Sequence, residues 1–205
     1  LLVPVELNGS PAQRRRAMHI HLRALVAAYH TGRRSLPSPE IDVLLHTLAE
    51  EERSSADLAM LADSVLLLGR TELALRLYVR LVRQEPERYR EWIEPAARRS
   101  LEHGHYRLAA DLYFLARQGA EPADARRLYM AGVGALMASS RFTEAMTEAE
   151  LHLGELDTDA DTLRFLVRSA RAANDNPRAA NYARRLLGIG ATMEEDAATE
   201  PEAGT

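Results

Sequence analysis

Apolar residues recur along most of the chain at intervals of three and four, the spacing that places them on one face of an α-helix. This pattern is densest at 58–65, 93–101, 129–136 and 163–170. Each of these segments is followed by a short turn and then by a second apolar helix. The pattern therefore predicts consecutive helix pairs, in which each helix buries one face.

The helix pairs repeat with a nearly fixed period. Four alanines share one position in the second helices: Ala74, Ala109, Ala145 and Ala179. Their separations are 35, 36 and 34 residues. About five residues before each lies a turn segment: Gly69, Gly104, Ser139-Ser140 and Asn174-Asp175-Asn176. Small residues let two helices approach closely, and stacking of neighbouring pairs buries faces that one pair cannot bury alone. Tyr78 and Tyr113, four residues after the first two alanines, are expected to fill the gap to the next pair.

Helix-breaking residues predict where the pairs begin and end. Pro86 and Pro122 predict two breaks, and the acidic segment 157–159 supplies good helix-capping residues for the third. Gly188 is expected to end the last helix. The predicted organisation is an extended segment at 1–12, a divergent helix pair at 13–54, four regular pairs at 55–188 and an acidic mobile tail at 189–205.

Composition and charge exclude several classes of function. The chain has 205 residues, of which 46% are hydrophobic and 27% charged, as in a folded globular protein. No apolar run is long enough to span a bilayer, so we expect no direct membrane insertion. The net charge is −4 and all 26 basic residues are arginine, which argues against nonspecific nucleic-acid binding. Because the chain begins at Leu1 without a signal-peptide pattern, we expect it to be a piece of a longer protein.

Two short motifs suggest catalytic or metal chemistry, and both have a simpler interpretation. The stretch GVGALM, at 132–137, resembles the start of a dinucleotide loop but lacks the third glycine and a preceding strand. Small residues at a close helix crossing explain it better. The pairs His19/His21 and His103/His105 match no zinc-binding spacing, so we interpret them as surface histidines. The sequence predicts no catalytic, cofactor-binding or metal-binding residue.

A run of three arginines, Arg14, Arg15 and Arg16, precedes an apolar helix and could face an anionic membrane surface. Arginines at a helix start oppose the helix dipole, so a neighbouring carboxylate is expected to offset them. A solvated helix face is the interpretation that we favour.

The repeated residues resemble the sequence pattern of a known family. In the best pair they are Leu58, Leu61-Ala62, Gly69, Ala74, Tyr78 and Pro86. Together with a period of about 34 residues, they resemble the tetratricopeptide repeat, or TPR. The second pair matches at Ala96-Ala97, Gly104, Ala109 and Tyr113, the later pairs match at fewer positions, and none keeps the family's tryptophan. The resemblance implies an all-α, right-handed superhelical solenoid of about five antiparallel helix pairs. It also implies a non-catalytic scaffold for protein–protein interaction.

In the TPR family, fixed positions of each first helix line the concave groove. Carried over by register, these positions give the partner-binding set Arg98, Arg127, Met130, Met137, Arg164, Arg168 and Arg171. The same register adds Glu91, Glu94 and Glu102, with Asp63, Leu66 and Leu67 at the earlier end. Arg164, Arg168 and Arg171 form one stripe. We expect this stripe to receive an acidic segment, either from a partner or from Glu194, Glu195, Asp196, Glu200 and Glu202 of the tail, with Asp161 and Asp175 offsetting part of its charge.

A narrower similarity covers residues 40–188, which resemble the TPR region of the Pel exopolysaccharide secretion proteins of Gram-negative bacteria. The similarity implies a periplasmic location in a longer protein anchored in the outer membrane. It also implies a protein partner, a periplasmic polysaccharide deacetylase/hydrolase. Two alternatives remain: a TPR-like module that contacts polysaccharide or another ligand directly, and a cytoplasmic TPR adaptor. Glu91, Glu94 and Asp63 argue against RNA binding, which requires basic groove positions in every unit.

Overall fold

The computed structural model describes residues 9–32, 39–51, 54–118 and 120–198. Most of these residues are in helices and none of them is in a strand, so the predicted all-α class is confirmed. The α-helices are α1 (Pro11–His30), α2 (Pro39–Glu51), α3 (Ser55–Leu67), α4 (Thr71–Gln84), α5 (Tyr89–Glu102), α6 (Tyr106–Arg117), α7 (Pro122–Ala138), α8 (Phe142–Leu151), α9 (Ala160–Ala172) and α10 (Asn176–Ala198). Short 3-10 helices occur at Pro86–Arg88 and Gly154–Thr158. The chain forms two compact units, Leu1–Gly119 and Ala120–Thr205.

The first unit contains α1 to α6, which pack as consecutive pairs. The pairs are α1 with α2, α3 with α4, and α5 with α6. Helix α3 also contacts α5, and α4 contacts α6, so equivalent helices of neighbouring pairs lie side by side. The largest side chains of this core are fully buried: Leu22, Ile41, Leu48, Leu58, Leu61, Tyr78, Leu81, Ile93 and Leu112.

The second unit contains two further pairs, α7 with α8 and α9 with α10, and α7 also contacts α9. Its core includes Tyr129, whose buried hydroxyl donates a hydrogen bond of 2.8 Å to the Ala149 carbonyl. The 3-10 helix Gly154–Thr158 contacts both α9 and α10. This extra segment separates the two pairs along the chain.

Four helix pairs share the same turn. Gly69, Gly104, Ser140 and Asn174 all adopt the left-handed conformation, with φ of 69°, 75°, 60° and 57°. At the first turn, the Gly69 amide donates to Leu66 O at 2.9 Å, and the next amide, that of Arg70, donates to Val65 O at 3.2 Å. The other three turns repeat both bonds, a helix-ending arrangement known as the Schellman motif. The turns predicted from the sequence are confirmed at all four positions.

The four register alanines occupy one structural position. Ala74, Ala109 and Ala145 are fully buried, and Ala179 is 6% exposed. The amide of each alanine donates to the carbonyl of the residue directly after the left-handed one, as Ala74 does to Arg70 at 3.0 Å. The predicted repeat register is therefore confirmed.

The predicted breaks lie between the pairs. Pro86 begins a 3-10 helix, and Pro122 is the first residue of α7. Asp159 caps α9, because its Oδ1 accepts a hydrogen bond of 2.7 Å from the Thr162 amide. Pro39 begins α2.

Two predicted boundaries are wrong. Helix α1 begins at Pro11, inside the segment predicted to be extended, because Ser10 and Gln13 cap each other's amides and proline favours the first helical position. Gly188 does not end the last helix, since α10 continues to Ala198 through good helix formers such as alanine, methionine and glutamate. Residues 1–8 and 199–205 lie outside the described part, and the mobility of the tail stays a prediction.

The described helices include none that is both long and apolar enough to cross a membrane.

Candidate functional site

Helices α7, α9 and α10 of the second unit form an open groove of about 760 Å³. Its surface is mostly apolar and carries three charged side chains. The lining residues are Met130, Asp161, Arg164, Val167, Arg168, Ala183, Leu186 and Leu187. The groove therefore brings together Met130, Arg164 and Arg168 from the predicted partner-binding set.

The sequence of α9 explains why its charged side chains reach the groove. Leu163, Leu166 and Ala170 are fully buried and fix one face of the helix against the core. Arg164 and Arg168 are one helical turn apart and both exposed, so they lie together on the opposite face. Packing of the apolar face thus presents the arginines to solvent along one line.

The two arginines differ in their electrostatic surroundings. Arg164 Nη1 donates to Asp161 Oδ1 at 2.9 Å, and Asp161 Oδ2 accepts from Arg126 Nη1 at 3.2 Å. The charge of Arg164 is therefore balanced locally, as predicted for Asp161. Asp175, which was also predicted to offset part of the charge of the stripe, instead binds Arg178 Nη1 at 2.7 Å.

Arg168 has no such local carboxylate. Within the described residues its exposed guanidinium makes no ion pair or hydrogen bond. The same groove is lined by the apolar side chains of Val167, Leu186 and Leu187. The Leu187 side chain is 73% exposed, the largest fraction among the exposed large hydrophobic residues. The groove thus combines an uncompensated positive charge with accessible apolar surface.

The other predicted groove residues do not line this groove. Arg127 is exposed on α7 and binds Asp124 Oδ1 at 3.2 Å. Met137 is half-buried near the end of α7, and Arg171 is exposed on α9. Arg98 belongs to the first unit, where it lies on α5 with Glu94 Oε1 at 3.7 Å.

Asp63, predicted to line the earlier end of the groove, instead joins helices of the first unit. Its Oδ1 accepts a hydrogen bond of 2.6 Å from the hydroxyl of Tyr78 on α4 and another from Arg99 on α5. Burial, and next the charge of Asp63, raise the pKa of the Tyr78 hydroxyl well above its ordinary value. Asp63 is therefore a structural residue here.

The remaining predicted acidic partners of the stripe are at the C-terminal end. Glu194, Glu195 and Asp196 lie on α10, whose backbone continues as a helix to Ala198. The side chains of these three residues, and residues Glu200 and Glu202, lie outside the described part of the chain. Binding of the tail to the stripe stays a prediction.

The two motifs with possible catalytic or metal chemistry have structural positions. GVGALM lies inside α7, so no strand precedes it. The interpretation of these glycines as small residues at a close helix crossing is wrong for Gly134, where an added Cβ would meet nothing within 4 Å. His103 is exposed, but the surface prediction is wrong for His19, which is only 5% exposed in α1. No cluster of histidine and carboxylate side chains with metal-binding geometry occurs within the described ranges.

No protein-family profile matches the chain, and no curated protein matches its sequence. The repeated turn and the groove of α7, α9 and α10 are therefore the observations that support a function.

Proposed function

We propose that the chain is a non-catalytic scaffold that binds an acidic, partly apolar segment of a protein partner in the groove of the second unit. The observation that carries this proposal is the position of Arg168. Its guanidinium makes no ion pair with a carboxylate among the described residues, and it lines the same groove as the exposed Leu187. A partner segment with a carboxylate next to an apolar side chain would complement both the charge of Arg168 and the apolar surface of Leu187.

The repeat supports a TPR-like architecture. Four of the helix pairs join two apolar helices through the same left-handed turn, with a buried alanine at the same place in the second helix. Such pairs stack into a right-handed superhelical solenoid in the TPR family, and we propose the same for the helix pairs of this chain. Solenoids of this kind bind partners on the surface formed by successive first helices.

The groove favours a protein segment with apolar anchors at helical spacing. Met130, Val167 and Leu186 offer apolar surface on three helices, as in grooves that receive an amphipathic helix. Arg164 and Arg168 lie at the same groove and would attract acidic residues that flank those anchors. Exposed charge pairs of this kind mainly set the association rate and its salt dependence, whereas the apolar contacts set most of the affinity.

The partner and location follow from the resemblance to the TPR region of the Pel exopolysaccharide secretion protein PelB. On that basis, the partner is a periplasmic polysaccharide deacetylase/hydrolase. The scaffold would be periplasmic, in a longer protein anchored in the outer membrane. Docking there would hold the modifying enzyme beside the export path of the polymer.

Direct polysaccharide binding is less well supported. Sugar rings pack well on exposed aromatic faces, and none of the residues lining the groove is aromatic. The apolar lining instead comes from methionine, valine, alanine and leucine, which suits a protein partner. A cytoplasmic TPR adaptor would use the same groove with another acidic segment.

The proposal is tested by titrating purified scaffold with the purified deacetylase/hydrolase of the same export system. We expect Arg168→Glu to weaken binding roughly tenfold at low salt and much less at high salt, because the exposed charge is screened. Leu187→Ser should weaken binding at every salt concentration. Arg171→Glu is the matched control, since it changes an exposed arginine of α9 that does not line the groove.

Wild-type affinity in both Arg168→Glu and Leu187→Ser, with unchanged helical circular dichroism, would show that the binding surface lies elsewhere. Equal losses in Arg168→Glu and Arg171→Glu would point to general charge attraction instead of the groove. The double variant Arg164→Glu/Arg168→Glu should bind more weakly than Arg168→Glu alone at low salt, because reversal of Arg164 also places a carboxylate beside Asp161.

A further inference from the structure

A second concave site lies in the first unit, between α1 and α3. This pocket has a volume of about 430 Å³ and is lined by three arginines, Arg15, Arg16 and Arg23. The one carboxylate that lines it is Asp57 of α3. The pocket shares no residue with the groove of α7, α9 and α10.

The arginines converge because of their spacing on α1. Arg16 and Arg23 are seven residues apart, which is close to two helical turns, so both face the same side of the helix. Arg23 Nη1 lies 4.0 Å from Met60 Sδ on α3, and both residues line the pocket. Arg15 is half-buried beside them. Three planar sets of N–H donors therefore surround one cavity.

The charge of this pocket is not balanced within the described residues. Three guanidinium groups against one carboxylate leave a net charge of about +2 at neutral pH, since arginine stays protonated in proteins. None of the three makes an ion pair with Asp57 or another described carboxylate. Asp57 lies in the first turn of α3, where its charge already interacts with the positive end of that helix.

The position of the arginines on α1 adds to this imbalance. The first turn of α1 contains no acidic residue, and Arg15 and Arg16 follow it directly. The positive end of a helix repels nearby cations. An anion in the pocket would relieve this repulsion together with the repulsion among the arginines.

We propose that this pocket binds the phosphate group of a small phosphate monoester. A phosphate monoester carries about 1.5 to 2 negative charges at pH 7 and three strong acceptor oxygens. This matches the net charge of the pocket, whereas a carboxylate would offset only about half of it. Guanidinium groups bind phosphate oxygens in a bidentate manner.

The pocket is larger than a phosphate ion. Its volume of about 430 Å³ lies within the usual range for small-molecule sites, roughly 300 to 1,000 Å³. Met60 and Ile20, the latter 48% exposed, give apolar surface at the same site. These side chains would contact the carbon part of the ligand while the arginines hold its phosphate.

The first experiment uses inorganic phosphate as the probe, titrated into the intact chain by calorimetry in a low-salt buffer without other oxyanions. We expect saturable binding at one site, weakened roughly tenfold by Arg16→Gln and by Arg23→Gln. Both side chains are exposed, so these variants should keep the helical circular dichroism. Arg14→Gln is the matched control, because Arg14 is the adjacent exposed arginine and does not line the pocket.

Absence of saturable phosphate binding would overturn the proposal. So would an equal loss in Arg14→Gln, which would mean that the whole charged segment attracts anions without a defined site. Because the variants change α1 alone, partner binding at Arg168 provides an independent readout. Loss of phosphate binding with intact partner binding supports a separate site.

The second experiment distinguishes a soluble ligand from a lipid headgroup. Glycerol 3-phosphate is compared with phosphatidylcholine vesicles that contain phosphatidic acid, each with wild type and Arg16→Gln. We expect tighter binding of glycerol 3-phosphate than of inorganic phosphate, because the pocket is concave and has apolar walls. Cosedimentation with the vesicles that Arg16→Gln abolishes would assign the same phosphate site to a lipid headgroup. Binding of neither probe would contradict the proposal.

Discussion

The Tyr78 hydroxyl donates a hydrogen bond of 2.6 Å to Asp63, and Arg99 donates to the same carboxylate oxygen. The three residues lie on α4, α3 and α5, so one carboxylate joins a helix pair to the first helix of the next. Tyr78 is fully buried, whereas Asp63 and Arg99 remain partly exposed. The pair α3/α4 is thus joined to the pair α5/α6 by a charge-assisted polar contact as well as by apolar packing.

Removing the Tyr78 hydroxyl should therefore destabilise the first unit while preserving the shape of its core. We expect Tyr78→Phe to lower the free energy of unfolding by about 1.5 to 3 kcal/mol, the usual range for a hydrogen bond to a charged group. Urea unfolding followed by circular dichroism measures this loss. Tyr106→Phe is the control, because the Tyr106 hydroxyl makes no hydrogen bond within the described residues. Equal effects of the two changes would contradict the prediction.

The same tyrosine predicts a sensitivity to alkali. Burial and the charge of Asp63 raise the folded-state pKa of Tyr78 above the ordinary value of 10.0. Its contribution to stability is therefore complete below pH 10 and is lost as the pH rises above that value, where the unfolded state gives up the proton more readily. We expect the wild type to lose stability above about pH 10 more steeply than Tyr78→Phe. Burial also raises the pKa of Tyr182, so the variant should keep part of the slope.

Asp159 predicts the opposite sensitivity, to acid. Burial opposes its charge, but hydrogen bonds from Thr162 and the charge of Arg126 outweigh burial and lower the pKa of Asp159. Its contribution is present above the ordinary value of 3.8 and is lost as the pH falls through the lower folded-state pKa. At neutral pH, Asp159→Ala should cost about 1 kcal/mol as a lost helix cap, and Asp159→Asn less, because asparagine also caps helices.

Denaturant titrations of these two variants at neutral and acidic pH test the assignment. The difference between wild type and Asp159→Asn should shrink as the pH falls below 3.8, where the lost charge no longer matters. Asp157→Ala serves as the control, since Asp157 is exposed and precedes the cap. A constant difference at every pH would exclude the charge as the cause.

Substitutions at the left-handed turn residues should change the stability of the fold in opposite directions. Ser140 has φ of 60°, a conformation that costs a residue with a Cβ about 1 kcal/mol, so Ser140→Gly should stabilise the second unit by about that amount. Gly69→Ala should destabilise the first unit by a similar amount, since Gly69 has φ of 69°. Gly134→Ala is the control inside a helix, where an added Cβ has open space and should stabilise by about 0.5 to 1 kcal/mol. Thermal melting of the three variants measures whether each substitution raises or lowers the stability.

Much of the fold could be predicted from the sequence because the repeat depends on local features. The buried alanines and the turns between helices are set by residues close in the chain, so the turns at Ser140 and Asn174 were predictable without glycine. The contact of Asp63 with Arg99 was not, because 36 residues separate them and no short pattern relates them. The end of α10 was missed because a glycine ends a helix only when it adopts the left-handed conformation, and Gly188 does not.

The groove was predicted in part, because only some of its residues are close to one another in the sequence. The spacing of Arg164 and Arg168 along one helix places them together, but Leu187 comes from α10, a second helix that the family positions do not include. Its signal in the sequence is an apolar residue outside the buried face set by Ala179 and Tyr182. In the first unit, the seven-residue spacing of Arg16 and Arg23 was a signal for a shared helix face. Arg16 was considered only as part of the run Arg14, Arg15 and Arg16, so the convergence with Arg23 was not predicted.

The repeated turn has a consequence for how such a chain changes length. Both hydrogen bonds at each turn lie within one short stretch, as between Val65 and Arg70, so donor and acceptor are copied or deleted together. Duplication of one full period would insert a complete helix pair with its own joint and with its alanine already in register. Insertion of a few residues inside a helix would instead rotate that alanine out of the crossing. Gene rearrangements in whole periods are therefore tolerated where smaller insertions are not, and the length of the array can evolve in discrete steps.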